Sequence, residues 1–468
     1  MKVIDTDDKK KDGQNKCPKC GSSDITYNIK KEKLVCNYCN TEFDKEEIND
    51  VKEAKDLNEE LRGSGTKDIT SDEDMITIKC DGCGAEIVIN TKEATNSRCH
   101  WCRSVLSINH QIDNGAIPDV LLPFKLSRED AVESINKYVG KRSFFADSKF
   151  KKEFNTNNVM GVFFPYMLVD ARGHGKFIGT GEHEVRSYTV TKKVKHFDKE
   201  EEERETHYDF DVYSIEREFD VAIDDLTVET SMEILNKNNS NRTTNIINSV
   251  MPFDTENCIK YKGNYLSGYS SEKRDLNISN IEDKVDKELR DITRHALNNE
   301  IKFYDRGVKW DQENVEFNGK QWISAYLPIW LYSYQDNNVL RYVAVNGRTG
   351  ATMGSIPLNK LKLFIFSALF FVIPLLLACL FLQQNGLKVF VGVIGFIVAL
   401  TIYLSNSSDY RNSGVRHKYE NNTRHQLTNV KENDHLIRHE YDSDDWSMFG
   451  ANNNRLEGEH IKVNKNVE

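Results

Sequence analysis

Eight cysteines before residue 103 fall into four Cys-X-X-Cys pairs: Cys17/Cys20, Cys36/Cys39, Cys80/Cys83 and Cys99/Cys102. In each of the two sets, fifteen residues separate the pairs, 21–35 in the first and 84–98 in the second. Two thiolates spaced this way grip one side of a tetrahedral ion, and a second pair across a hairpin completes a four-sulfur site. The chemistry expected is two structural Zn2+ ions, one per set, because four thiolates leave no open coordination position for catalysis. A rubredoxin-like iron site is the alternative, since four thiolates also hold iron. Gly21 and Gly84 follow their pairs directly, where a tight knuckle calls for positive φ. Tyr38 and Trp101 lie between the cysteines of the second pair in each set and are the candidates for contact with a partner.

The elements that must position these thiolates are short hairpins. Ile25–Ile29, Leu34–Val35 and Glu86–Ile89 read as strands. The fold expected is two small β zinc ribbons, residues 1–43 and 76–110, followed by an α+β body with antiparallel sheets. Between the ribbons, 44–75 reads as an acidic linker. Residues 41–75 carry thirteen acids against five bases, with Gly63-Ser64-Gly65 inside, as in a solvated spacer or a charged arm for a basic partner.

The body, 118–358, shows a degenerate internal repeat. Pro123-Phe124 precedes a helix expected to start at Ser127, with Asp130 as its capping partner and Val132, Ile135 and Val139 on one face. A proline-containing strand, 161–169, follows. In the second copy Pro252-Phe253 precedes a helix read as capped by Ser279 with Glu282, with Ile281, Val285, Leu289, Ile292 and Ala296 as its stripe. Another proline-containing strand, 325–332, follows. Two related lobes, 118–250 and 251–358, are the expectation; chance similarity of two short strands is the alternative, because the copies differ in spacing.

Residues 363–382 contain no charge, and at 1.5 Å per residue they span about 30 Å, one hydrocarbon thickness. After a short connector, 387–404 forms a second apolar run in which Lys388 must snorkel. Together, 361–404 reads as a transmembrane hairpin. Arg341, Arg348, Lys360 and Lys362 precede it and Arg411, Arg416, Lys418 and Arg424 follow it, whereas the connector holds only Lys388. The positive-inside rule then places both termini in the cytoplasm, at the cell membrane. Reduced thiols demand the same compartment, and the opening residues hold no apolar run that would make a secretory leader. The Asn-rich stretch 405–468 reads as a disordered cytoplasmic tail with scattered histidines.

The chain has 468 residues and a net charge of -10, which excludes a polycation that coats nucleic acid. Residues 1–40 carry nine bases against six acids and 76–110 four against three, so neither ribbon has a strong electrostatic footprint for nucleic acid. No metalloprotease helix, nucleophile elbow or calcium loop is present in the sequence. In 263–270, Tyr269 stands where a phosphate loop needs lysine. His174, His183, His196 and His207 lie on strand-like sequence and would make an acid-base or metal cluster only if they converged. No small-molecule substrate is indicated.

The paired knuckles, the Pro123-Phe124 turn before a helix, Gly161–Tyr166, Tyr265–Tyr269, Leu327–Leu331, Val345–Gly350 and the apolar end together resemble one family. It is the group of bacterial membrane proteins with a transcription factor IIB-type (TFIIB-type) zinc ribbon, and the resemblance covers about 15–405. Some members carry a replication-restart helicase label through their cysteine knuckles; without a Walker lysine this sequence does not support that activity. The resemblance implies zinc, and nucleic-acid or transcription contact by analogy alone. The function expected is a membrane-anchored, cytoplasm-facing adaptor or scaffold that binds an unidentified protein partner and the lipid bilayer. Membrane-tethered nucleic-acid binding in transcription or replication is the competing reading.

Overall fold

The computed structural model describes residues 2–3, 17, 19–22, 25–43, 51–66, 75–79, 86–90, 99, 111–112, 118–196, 199–230, 250–261, 263–266, 268–272, 274, 276–336, 339–381, 384–409 and 423–441. A three-stranded antiparallel sheet near the N-terminus contains β1 (Ile25–Asn28), β2 (Lys33–Cys36) and β3 (Glu42–Phe43). A much larger, mostly antiparallel sheet forms the body. Into it run β4 (Glu60–Arg62), β5 (Met75–Lys79), β6 (Glu86–Asn90), β7 (Met160–His196), β8 (Lys199–Glu229), β9 (Ser270–Glu272), β10 (Gly307–Asp336), β11 (Val339–Asn346), β12 (Thr352–Gly354) and β13 (Arg424–Tyr441). The helices are α1 (Arg128–Arg142), α2 (Ser148–Glu153), α3 (Ile278–Glu300), α4 (Lys360–Phe381) and α5 (Asn385–Asp409).

The two proline-containing strands, expected in separate lobes 118–250 and 251–358, are neighbours in this one sheet. Phe164 pairs with Leu327, Phe163 with Pro328 and Pro165 with Tyr326. A local two-fold axis normal to the sheet, between Phe164 and Leu327, therefore carries Pro165 onto Pro328. Each strand takes its sequence successor on its outer edge, giving the order β8-β7-β10-β11. The apolar clusters on both faces of this sheet draw residues from 118–250 and from 251–358 alike. Alternation sends Val162, Phe164, Tyr166 and Leu168 to one face with Ile323, Ala325, Leu327 and Ile329. The other face receives α1 and α3.

The start of α1 follows its sequence signal: Asp130 N–H donates to Ser127 Oγ at 3.2 Å, and Ser127 N–H donates to Asp130 Oδ2 at 3.0 Å. Its Ala131, Ile135, Tyr138 and Val139 are buried. For α3 the stripe Ile281, Val285, Leu289, Ile292 and Ala296 is buried as expected, but the cap differs. The helix begins two residues earlier, with Asn277 as N-cap, and Asn277 N–H donates to Asn280 Oδ1 at 2.9 Å. Ser279 lies inside the first turn, because Asn277 is the last residue with extended backbone.

The acidic stretch read as a linker, 44–75, is not a free spacer over its described part. Leu57 and Leu61 are buried, and β4 pairs in parallel with Lys320–Trp322 of β10. Lys2–Val3, within the expected first ribbon, pairs in turn with β4. Gly63-Ser64-Gly65 wraps the buried carboxylate of Asp119, which accepts from Gly65 N–H at 2.6 Å, Ser64 Oγ at 3.2 Å and Ser324 N–H at 2.8 Å. Glycine is required at 63, since a Cβ there would meet Asp119 Oδ2 at 2.2 Å.

The stretch expected as a disordered tail, 405–468, also requires correction. Its residues 424–441 are β13, which pairs antiparallel with Asp209–Asp224 of β8. Leu427 and Val430 pack against the core beneath α3, and Arg217 clasps Asp434. The long antiparallel pair β7/β8 sets Lys192, Lys193 and Lys195 in register with Glu203, Glu202 and Glu200.

Helices α4 and α5 are both long and apolar enough to cross a membrane, with mean hydropathy 2.8 and 2.4 over windows that are only 17% and 11% buried. A core helix of a soluble protein would be mostly buried, so the exposure of Phe364, Leu369, Leu376, Phe390 and Phe396 argues for lipid around them.

Candidate metal centre

The first knuckle is shaped by Cys17, Cys20 and Gly21. Gly21 adopts φ +74°, its N–H donates to the Cys17 carbonyl at 2.7 Å, and Cys17 N–H donates to the Ser22 carbonyl at 2.7 Å. The second knuckle repeats the turn with Asn40 in the place of Gly21. Asn40 has φ +55°, Asn40 N–H donates to the Cys36 carbonyl at 2.8 Å, and Cys36 N–H donates to the Thr41 carbonyl at 2.9 Å. Asparagine is among the few side chains that tolerate this region. Sequence reasoning missed Asn40 and Thr41; the shared frame Cys-X-X-Cys-Gly/Asn-Ser/Thr was the available signal.

β1 and β2 bring the two knuckles together through register pairs from Ile25–Cys36 to Asn28–Lys33. Cys17 Sγ lies 3.5 Å from Cys39 Sγ and Cys20 Sγ 3.6 Å from Cys36 Sγ, and all four sulfurs fall within 4.8 Å of one another. A tetrahedral ion with metal–sulfur bonds of about 2.3 Å needs sulfurs about 3.8 Å apart. The four thiols are placed to bind a metal ion.

Packed this closely, the thiols cannot share one acidity. The Thr41 hydroxyl, 3.0 Å from Cys39 Sγ, leads the effects that bring Cys39 down to about 6. Cys20 accepts a favourable backbone hydrogen bond at Ser22, yet desolvation and the neighbouring Cys39, Cys17 and Cys36 push it up to about 12. A divalent cation removes that conflict, because it offsets the mutual repulsion of four thiolates.

The ribbon is fastened to the body. Cys17, Ile25, Tyr27, Leu34 and Cys36 belong to one apolar cluster with Phe124, Ile135, Phe163, Tyr265, Leu266 and Trp330. Gly263–Leu266, the segment that only mimics a phosphate loop, forms a short 3-10 turn that presents Tyr265 to Tyr27. Tyr38 points away from all this and is 80% exposed.

In the second set only Cys99 is among the described residues, and it is buried in the core on the opposite face of the sheet. Cys80, Cys83, Cys102 and Trp101 lie outside them, as does Gly84. The described strands of this set, β5 and β6, pair with each other and join the body through Ser271–Val88 and Glu272–Ile87 pairing, so this described part is not detached.

The histidines do not converge among the described residues. His174 bonds Asp220 at 2.8 Å, His183 bonds the Phe303 carbonyl at 2.8 Å, and His207 stacks on Tyr188. A second close group is Asp170, Asp224 and Asp225. Burial and the nearby Asp225 carboxylate push Asp170 up to about 8. Arg424 occupies this group from β13, reaching Asp224 at 3.1 Å and clasping Asp225, while Thr255 Oγ1 donates to Asp225 at 2.7 Å. It works as an ion network fastening the C-terminal strand.

No protein-family model and no solved structure matches the chain. A relative is the uncharacterized protein YdjG of Bacillus subtilis (strain 168), 20% identical over 249 residues, which are 52% of this chain and 65% of the relative. The chain thus spans about two thirds of the curated relative it matches.

Proposed function

We propose that this protein is a membrane-anchored zinc-ribbon adaptor whose ribbons face the cytoplasm and hold a protein partner. The observation that carries the reading is the single apolar cluster that contains both Cys36 of the metal knuckle and Leu363 in the first turn of α4, with Phe366 and Tyr403 packed against it. A ribbon locked to a body that is locked to an apolar helical pair suits a fixed platform at a bilayer. Tyr38 at the tip of the second knuckle is the contact residue favoured, and Trp101 is its counterpart in the second set. In this reading α4 and α5 cross the membrane as a hairpin and both termini lie in the cytoplasm, as the basic flanks require. Two zinc ions act as structural staples, and the TFIIB-type membrane family is the proposed kinship.

In-cell crosslinking from position 38 in the full chain tests the reading. The expected result is a discrete protein adduct that disappears in a Cys17→Ser variant still resistant to alkaline carbonate extraction. Steeply salt-dependent DNA or RNA binding by the full chain, without such an adduct, would replace the adaptor with the nucleic-acid reading. Metal analysis under reducing conditions should return two zinc and no iron per chain.

A further inference from the structure

We propose that the corner between α1 and α2 is a second membrane contact, in which Phe144 enters the interfacial layer and the surrounding basic residues bind anionic phospholipid headgroups. This rests on the reading that α4 and α5 span the bilayer.

The corner is built against the start of α4. Residues 145–147 run antiparallel to 357–359: Ala146 bridges Leu358, Asp147 N–H donates to the Pro357 carbonyl at 2.8 Å, and Asn359 N–H donates to the Phe145 carbonyl at 2.9 Å. The rings of Phe144 and Phe145 stand 5.5 and 5.2 Å from that of Phe366. Phe366 lies six residues, about 9 Å, along the helix from Lys360. Lys362 folds back toward the body, donating to the Phe144 carbonyl at 2.6 Å with its ammonium 4.0 Å above the Phe144 ring. Lys362 is therefore placed as a snorkelling lysine at the headgroup level, and it sets Phe144 at the same height.

Phe144 is nonetheless 54% exposed, although its neighbour Phe145 is buried. Lys137 and Lys141 of α1 and Lys149, Lys151 and Lys152 of α2, the two helices that meet at this corner, are exposed, and Arg142 stacks 3.8 Å over Tyr138. Residues 137–152 contain one acid, Asp147, and its carboxylate is engaged in capping α2, accepting from Lys149 and Phe150 N–H groups. The adjacent Glu153 accepts from the Tyr334 hydroxyl at 3.1 Å. Six bases against one capping acid in 137–152, on the helices either side of one exposed aromatic ring, complement an anionic leaflet in a chain whose net charge is -10. Continuity with α4 selects the headgroups of that same bilayer over any other anion.

The test places a photo-crosslinking phenylalanine analogue at position 144 of the full chain, and at position 376 on the exposed flank of α4 as the reference. The proteins are reconstituted in nanodiscs of equimolar phosphatidylglycerol and phosphatidylcholine. Position 376 should give lipid adducts regardless of headgroup. Position 144 should also give lipid adducts, enriched at least about threefold in phosphatidylglycerol, an enrichment lost in the Lys149→Gln/Lys151→Gln/Lys152→Gln variant. Adducts at 376 with none at 144, or with equal headgroup shares at 144, would overturn the proposal while leaving the membrane hairpin intact. Protein adducts at 144 would make the corner a protein interface instead. Absence of lipid adducts at both positions would remove the membrane reading, and this proposal with it.

Discussion

The ring of Tyr27, in the first strand of the metal ribbon, lies 5.4 Å from the ring of Tyr265 at an interplanar angle of 52°. Both rings are buried, at 8% and 3% exposure, so the contact is an interior one between two parts of the chain 238 positions apart. It makes the ribbon part of the body's core.

Truncating Tyr265 should therefore loosen the ribbon without emptying it. Tyr265→Ala is expected to cost about 3 kcal/mol, as for other large buried aromatics. Hydrogen exchange should accelerate across 25–43, while metal content stays at the wild-type value because the four thiols are untouched. Loss of metal together with the contact would show that the body, not the knuckles, shapes the site.

Metal removal should act in the opposite order. A chelator, Cys17→Ser or Cys36→Ser should abolish exchange protection in 25–43 while the sheet strands of the body remain protected. Acid should release the metal as thiolates take up protons. Metal release and unfolding of β7 and β10 in one step would contradict a body held by the two clusters that contain no residue of 17–43.

At the far end of the chain, Asp434 accepts from Arg217 Nη2 at 2.8 Å and from the Tyr304 hydroxyl at 2.6 Å. Burial alone would raise this carboxyl, but the Arg217 and Tyr304 hydrogen bonds overcome it and hold Asp434 below the usual range. A depressed carboxyl contributes stability above its unfolded pKa and loses it as pH falls through the folded one. Acidification below the ordinary carboxylate range should thus free β13, read as limited proteolysis within 424–441. Asp434→Ala should show the same cleavage at neutral pH and little further change in acid.

Asp170 has the opposite sign. Burial first, then the Asp225 charge, raises it from 3.8 to about 8. A raised carboxyl contributes its stability fully below the unfolded pKa, and that contribution erodes as pH climbs toward the folded value. Between pH 4 and 8 the wild-type protein should lose stability relative to Asp170→Asn, by on the order of 2 kcal/mol or more. Parallel melting curves for the two proteins across that range would show that Asp170 is not the titrating group.

Local signals were readable from sequence where one short segment decides its own structure. The β1/β2 hairpin, the Ser127–Asp130 box, the α3 stripe and the two apolar helices are of this kind. Gly63-Ser64-Gly65 misled because flexibility and a need for bare backbone have the same composition; only Asp119, 54 to 56 positions away, distinguishes them. Strand β13 misled for a related reason. Its apolar residues are sparse, and what secures it is Arg217–Asp434 and Arg424–Asp225, contacts spanning 217 and 199 positions. The two proline strands were visible as copies, but nothing local states that they would pair with each other. The candidate thiol site was legible in its ligands and not in its attachment, since Tyr265 sits in a segment whose glycines suggest an unrelated loop.

The stretch of interior that reaches from Cys36 to Leu363 joins the thiol knuckle directly to the root of α4. Anything that seizes the knuckle pulls on the root of the hairpin, and any tilt of the hairpin shifts the knuckle. With α4 and α5 in a bilayer as proposed, force on that pair or thinning of the lipid around it would be felt at Tyr38.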